Sequence, residues 1–229
     1  MKITKLVCGH CGTALSGLGQ DKLFFCSNCG KGWVLDAGGL EPVQVQCRAS
    51  SSSRLPLPFW MVSAAVHVLK RTVRNEFTST IVRFGSRYEE EVLAAKKNET
   101  GGFSERRTFL FPAFPVDGLP GTGVALSDKI HELPDELKQG DSLPDICGGS
   151  ISKADAAVLA RSVAVGQETE KADWLAEIEI VLSSVRSTLV ILPCSVEVEK
   201  VIIAETGVSF FRRSVPDWDG IIDYHSVRT

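Results

Sequence analysis

The sequence holds no run of the roughly 18 uninterrupted apolar residues that a bilayer-crossing helix needs. Its opening, Met1-Lys2-Ile3-Thr4-Lys5, leads to a cysteine pair rather than to the apolar core of a signal peptide. The expectation is a cytoplasmic protein without a transmembrane segment. Charge of one sign is also lacking: 25 Lys and Arg against 28 Asp and Glu leave a formal charge of -3. No global field therefore draws the chain onto nucleic acid or an anionic membrane. Catalytic signatures are absent as well. There is no GxxxxGK[ST] phosphate loop, no GxGxxG opening a βαβ unit, no GxSxG elbow and no HExxH pair. The glycines of Asp117-Gly118-Leu119-Pro120-Gly121-Thr122-Gly123 do not make a phosphate loop, because the stretch carries a proline and lacks the lysine. An enzyme is left without mechanistic support.

What the chain does have is apolar residues enough to fold. Of 229 residues, 44% are hydrophobic and only 23% charged, which fits one or two small domains rather than a disordered polymer. Seven cysteines, four of them in two CxxC pairs, fit metal-bound thiolates in a reducing compartment better than a secreted disulfide framework. Residues 1–40 are rich in Gly and Cys and too short to bury a self-sufficient core. Residues 41–54, with Ser50-Ser51-Ser52-Ser53 near their end, read as a linker.

Residues 55–229 read as a second, strand-rich domain. Leu55 to Leu69 is partly alternating, with Pro56 and Pro58 expected at a sheet edge or entrance. Ser79–Phe84 and Thr108–Phe111 are further strand candidates, and Arg87–Lys97 has helical composition. A short helix is expected over Leu126–Leu137. A better marked one starts at Ser152, where Asp155 stands at the capping-box spacing. Trp174, Ala176, Ile178, Ile180 and Leu182 alternate with Glu177, Glu179 and Val181 as in a strand, although a helix over the same span is an alternative. Thr188–Ala204 reads as one bent strand or two, and Gly207 as a turn into Val208–Phe211. A proline recurs in apolar company at Pro58, Pro112 and Pro193, the one hint of a weak internal duplication.

The sharpest chemical signal is Cys8-Gly9-His10-Cys11-Gly12 with Cys26-Ser27-Asn28-Cys29-Gly30. A CxxC turn aims two thiolates at one ion, and two such turns complete a tetrahedral all-sulfur shell that suits zinc. Such a shell leaves no ligand position open, so the ion would be structural. Iron is the main alternative for the same four thiolates, and two redox-active CxxC pairs a lesser one. The two knuckles with their flanking short strands resemble a zinc ribbon over residues 5–37. The resemblance implies a small hairpin-based or three-stranded module of the kind used in nucleic-acid and protein assemblies. With the ribbon in place, the expected fold class is α+β: an N-terminal zinc ribbon followed by a mainly antiparallel domain with one or two helices.

The remaining candidates weigh less. His10 sits inside the first knuckle, but four cysteines already satisfy an ion, so an exposed loop position is expected. Trp33 is expected to pack on the ribbon hairpin, with base stacking as the alternative role. Cys47, Cys147 and Cys194 are too scattered to suggest a second cluster, and a Cys194–His67 nucleophilic pair would need a proximity that sequence does not show. His131, Glu132, Asp135 and Glu136, like Asp219, Asp223 and His225, read as solvated surface. The expected function is a non-enzymatic interaction or assembly protein, its partner another protein or a second copy of itself. The alternative is nucleic-acid binding through Lys5, Lys22, Lys31, His10 and Trp33, a thin footprint because residues 1–47 hold four basic and three acidic side chains. Removing any one knuckle cysteine is expected to release the metal and unfold the ribbon while the larger domain survives.

Overall fold

A computed structural model describes residues 6–49, 55–74, 97–100, 102–136, 144–171, 174–204 and 206–226. The strand candidate at 79–84, nearly all of the helix candidate at 87–97 and the four serines lie outside these residues. An N-terminal Cys-rich module of strands leads into a larger, mainly antiparallel sheet with helices, an α+β chain. No helix among the described residues is long and apolar enough to cross a membrane.

The N-terminal module is a three-stranded antiparallel sheet of β1 (Leu23–Phe25), β2 (Gly32–Asp36) and β3 (Gly39–Val43). The period of two gives β1 a double duty. Phe24 joins Cys8, Leu15 and Cys26 in a small core of the module, whereas Leu23 and Phe25, on the opposite face, join the main core with Val34. β4 (Val45–Cys47) then pairs in parallel with the large sheet. Part of the segment read as a linker is thus ordered strand. Gln44 and Arg48 complete its ladder, the carbonyl of Gln44 accepting from the Leu189 amide and that of Ile191 from the Arg48 amide.

Two long strands organise the rest: β5 (Leu55–Arg74) and, far along the chain, β8 (Trp174–Val196). They pair antiparallel from Leu55 opposite Cys194 to Arg74 opposite Trp174, with register shifts at three places. On the other side of β5 lie β6 (Lys97–Thr100) and β7 (Phe103–Pro112). Along the other edge of β8 lie β4 and, further on, β9 (Lys200–Ile203), with β10 (Ser209–Phe211) outside β9 at the sheet's edge. The 188–204 segment is therefore two strands, and the turn at Gly207, with φ 65°, leads into β10 as expected. Along the middle of β5, Val62, Ala64, Val66 and Val68 are fully buried while Met61, Ser63, Ala65 and His67 between them are half-exposed, the alternation of a sheet with one covered face.

The prolines sit at a strand entrance, one of the two places expected for them, yet inside the sheet. Pro56 and Pro58 lie in β5, an inner strand, opposite Pro193 and Ile191. The carbonyl of Pro58 accepts from the Ala113 amide and that of Pro193 from the Ala204 amide, both directed away from the β5–β8 ladder. Because the N–H and C=O of a strand residue point the same way, the missing donors face outward too, and the ladder between β5 and β8 loses nothing. The three apolar proline segments are neighbours at one end of this sheet, with Phe59 also opposite Pro112.

Helices α1 (Leu119–Asp128) and α2 (Lys153–Thr169) cover the face carrying Trp60 and Phe111. α1 starts within the Gly-Pro stretch set aside as a phosphate loop and overlaps the expected 126–137 span only at Leu126–Asp128, after which the described residues hold a turn of 3-10 helix at Ile130–Glu132. Its reason is tertiary. Pro120 fits the first turn of a helix, and Gly123 lets Val163 of α2 come within 2.6 Å of where a Cβ would stand. α2 begins as expected, with the Ser152 hydroxyl accepting from the Asp155 amide at 3.1 Å and the Asp155 carboxylate reaching back. A third helix, α3 (Trp218–Ser226), exceeds the one or two expected. Its nine residues carry an internal glycine, and the start signal it has is Asp217 immediately before it.

Candidate metal centre

Two tight turns build the site. The Gly12 and Gly30 amides donate to the carbonyls of Cys8 and Cys26 at 2.9 and 2.7 Å, and both glycines take positive φ, 76° and 70°. This left-handed turn after each CxxC is what glycine permits at little cost. It brings Cys8 Sγ to 3.5 Å from Cys29 Sγ and Cys11 Sγ to 3.5 Å from Cys26 Sγ. All four sulfurs lie within 4.8 Å of one another. Zinc–sulfur bonds of about 2.3 Å would set the edge of a regular tetrahedron at about 3.8 Å. The donor set therefore fits a single four-coordinate ion with small adjustments.

Electrostatics favour such an ion. Cys11, at the exposed side, is held down to about 5 by hydrogen bonds from the Thr13 hydroxyl and backbone, whereas burial pushes Cys29 up to about 12 and also raises Cys26. Sulfurs this close do not all ionise without a cation between them. His10 is exposed and outside the cluster. Trp33 is half-buried in the small core and lies against Gly9, where a Cβ would come within 2.6 Å of its ring.

The module is docked to the sheet domain by a few specific contacts. The amides of Lys22 and Leu23 both donate to the Gly149 carbonyl, at 2.7 and 2.8 Å. Gly149 is required there, since a Cβ would meet Leu23 at 2.7 Å. Next to it the Asp21 carboxylate, 6% exposed, accepts from the Leu18 amide at 2.7 Å and the Gly148 amide at 3.1 Å. Burial raises the pKa of Asp21 and the nearby Asp217 adds to the rise, both outweighing the two amides.

A raised carboxyl stabilises the fold most at low pH and loses that contribution as pH rises from the ordinary carboxylate range through its raised value. Asp21→Asn keeps an acceptor for both amides without the charge. In thermal melts across mildly acidic pH, the wild-type protein is expected to lose stability relative to Asp21→Asn as pH rises. Parallel curves would show that Asp21 does not titrate in this way.

The other candidates are dispersed. Cys194 stands opposite Leu55 in the ladder, twelve positions from His67, roughly 40 Å along an extended strand. His67 instead makes a 2.7 Å hydrogen bond with the Ser183 hydroxyl. Burial raises the thiols of Cys47, to about 11, and Cys194. Cys147 was missed as a neighbour of His225, whose Nε2 is 3.7 Å from its Sγ. Nothing local could have paired residues 78 positions apart, and the fully buried Cys147 has no room for a substrate. His131 and Glu132 lie at the surface beside Lys129, as solvated charges do.

No protein-family model, curated protein or solved structure showed a match to the chain.

Proposed function

We propose that Cys8, Cys11, Cys26 and Cys29 hold one structural zinc ion in a non-enzymatic interaction or assembly protein. The observation that carries this reading is the all-cysteine donor set, whose four sulfurs fill a tetrahedral shell and leave no position for a substrate. When bound, zinc supplies a cross-link between the two turns and no redox chemistry; iron in the same shell is the alternative ion. The protein's own residues do the rest. Phe24 and Leu15 pack beneath the cysteines, and Asp21, Lys22 and Leu23 fasten the module to the Gly148-Gly149 corner. Cys47, Cys147 and Cys194, all buried and none in a disulfide, suit a reducing compartment such as the cytoplasm.

The test is the native mass of the purified protein, measured on the same sample as its metal content and nucleic-acid absorbance. About one zinc per chain in a defined oligomer or a retained protein complex is the expected result. A salt-labile nucleic-acid complex would replace this reading with the nucleic-acid alternative. Iron at the same stoichiometry would correct the metal alone.

A further inference from the structure

A hollow of about 530 Å³ opens between the β8–β9 turn, the end of β10 with the residues after it, and the first turn of α3, at the end of the sheet. That is within the size range of ligand pockets, and its walls include Phe211, Arg212, Arg213 and Trp218. Arg212 is held from two directions. Its amide donates to the Glu199 carbonyl at 2.9 Å and its Nη1 to the Val198 carbonyl at 3.1 Å, which sets the guanidinium 5.7 Å from the Trp218 ring.

The arrangement leaves two donors over. Arg212 Nε and Trp218 Nε1 are both buried without a hydrogen-bond partner, and Trp218 is only 6% exposed. Neither group can accept, so what completes them is an acceptor oxygen. Phe211 beside them is 43% exposed and flanked by Arg213 at 5.1 Å and Lys200 at 5.6 Å. Among the described residues, none of Lys200, Arg212 and Arg213 forms an ion pair. Glu199, Asp217 and Asp219 also line the hollow, which disfavours a polyanion but tolerates a single carboxylate at the arginine side. β10 is the edge strand, and no described strand pairs with its outer side. Val198, 89% exposed, and Val215 give the same hollow apolar surface.

We propose that this hollow docks an extended peptide of a partner protein that carries a single acidic residue beside an apolar one, with the carboxylate received by Arg212, Arg213 and the Trp218 indole N–H and the apolar residue on Phe211. The proposal rests on the interaction reading and names the chemistry of the partner. Strand addition along β10 supplies main-chain hydrogen bonds, and the hollow supplies selectivity for the side chain.

The test uses the full chain, loaded with metal, and a blocked valine-rich peptide carrying a single glutamate, with its glutamine counterpart as control. Binding is followed by calorimetry and by the indole N–H resonance of Trp218, assigned with Trp218→Phe. The glutamate peptide is expected to bind saturably and to move that resonance. The glutamine peptide, Trp218→Phe and Arg213→Ala are each expected to weaken binding by about tenfold or more, the scale of losing one charge-assisted hydrogen bond. Arg213 is exposed, so its variant separates loss of binding from loss of fold. Equal affinity for the two peptides, no binding up to millimolar peptide, or tighter retention of a single-stranded oligonucleotide lost in Arg213→Ala would each overturn the proposal. Failure here would leave the metal and native-mass results standing, so it is distinguishable from failure of the assembly reading.

Discussion

Cys26→Ala is expected to strip the metal from the chain and to lower the stability of the whole protein, not of the N-terminal module alone. Binding energy in such a site is folding energy, and apparent values for structural zinc of about 10–16 kcal/mol match the entire stability of an ordinary domain, about 5–15 kcal/mol. The module therefore unfolds without its ion. The damage does not stop there, because Leu23, Phe25 and Val34 are buried in the main core, and the Gly149 carbonyl takes two amides from residues 22 and 23. Each apolar side chain returned to water costs about 1.5–3 kcal/mol, so the sheet domain loses several kcal/mol when its cover peels away. Circular dichroism melts alongside metal analysis check this. The expected result is a metal-free variant whose main transition is shifted well down. A metal-free variant with an unshifted main transition would mean that the two parts are energetically separate, as the sequence alone suggested.

The second large effect lies at the opposite end of the sheet. Glu168, near the end of α2, is fully buried and meets Arg71 Nε at 2.9 Å, Arg107 Nη2 at 2.7 Å and Lys171 Nζ at 2.7 Å. Arg107 is also in contact with Glu105. Burial pushes the Glu168 carboxyl up, but hydrogen bonds and charge from Lys171 and Arg107 outweigh it and hold the group below its ordinary value. Removing one partner of a buried ion pair leaves uncompensated charge, and Glu168→Gln is expected to cost about 3–5 kcal/mol. The lowered value sets the sign of the pH dependence. The contribution is present above the ordinary carboxylate pKa and disappears as pH falls through the lowered one. Urea unfolding at neutral pH and near pH 3 should show the gap between wild type and variant closing on acidification. A gap independent of pH would assign the loss to packing.

The two sites differ in how far they could be read in advance. The cysteine cluster is written locally, because two CxxC turns followed by glycine dictate their own geometry. The Ser152–Asp155 cap is local for the same reason, and the alternation in Trp174–Leu182 correctly marks a strand. Glu168 carries no such sign. Its three cations come from β5, β7 and the residue three positions on, and only the pairing of distant strands brings them together. The start of α1 at a Gly-Pro sequence depends on Val163 filling the space at Gly123. β4 is three residues long and takes its conformation from the edge of β8. The docking of the metal module rests on a glycine more than a hundred positions away from the strand it receives. Residue spacing encodes neighbours, and each of these features depends on residues that are not neighbours.

The β5–β8 ladder imposes an order of events on the chain as it is made. β5 leaves the ribosome long before β8, the strand that must lie beside it from Leu55 at Cys194 to Arg74 at Trp174. Pairings between such remote segments are slow to form, because the closing entropy is spent before any contact returns it. The four cysteines are all synthesised first and need nothing downstream to meet a metal ion. During synthesis the N-terminal module can thus close around its ion as an isolated knot. Its apolar side, Leu23, Phe25 and Val34, meanwhile stays uncovered until the Gly149 corner and β8 arrive.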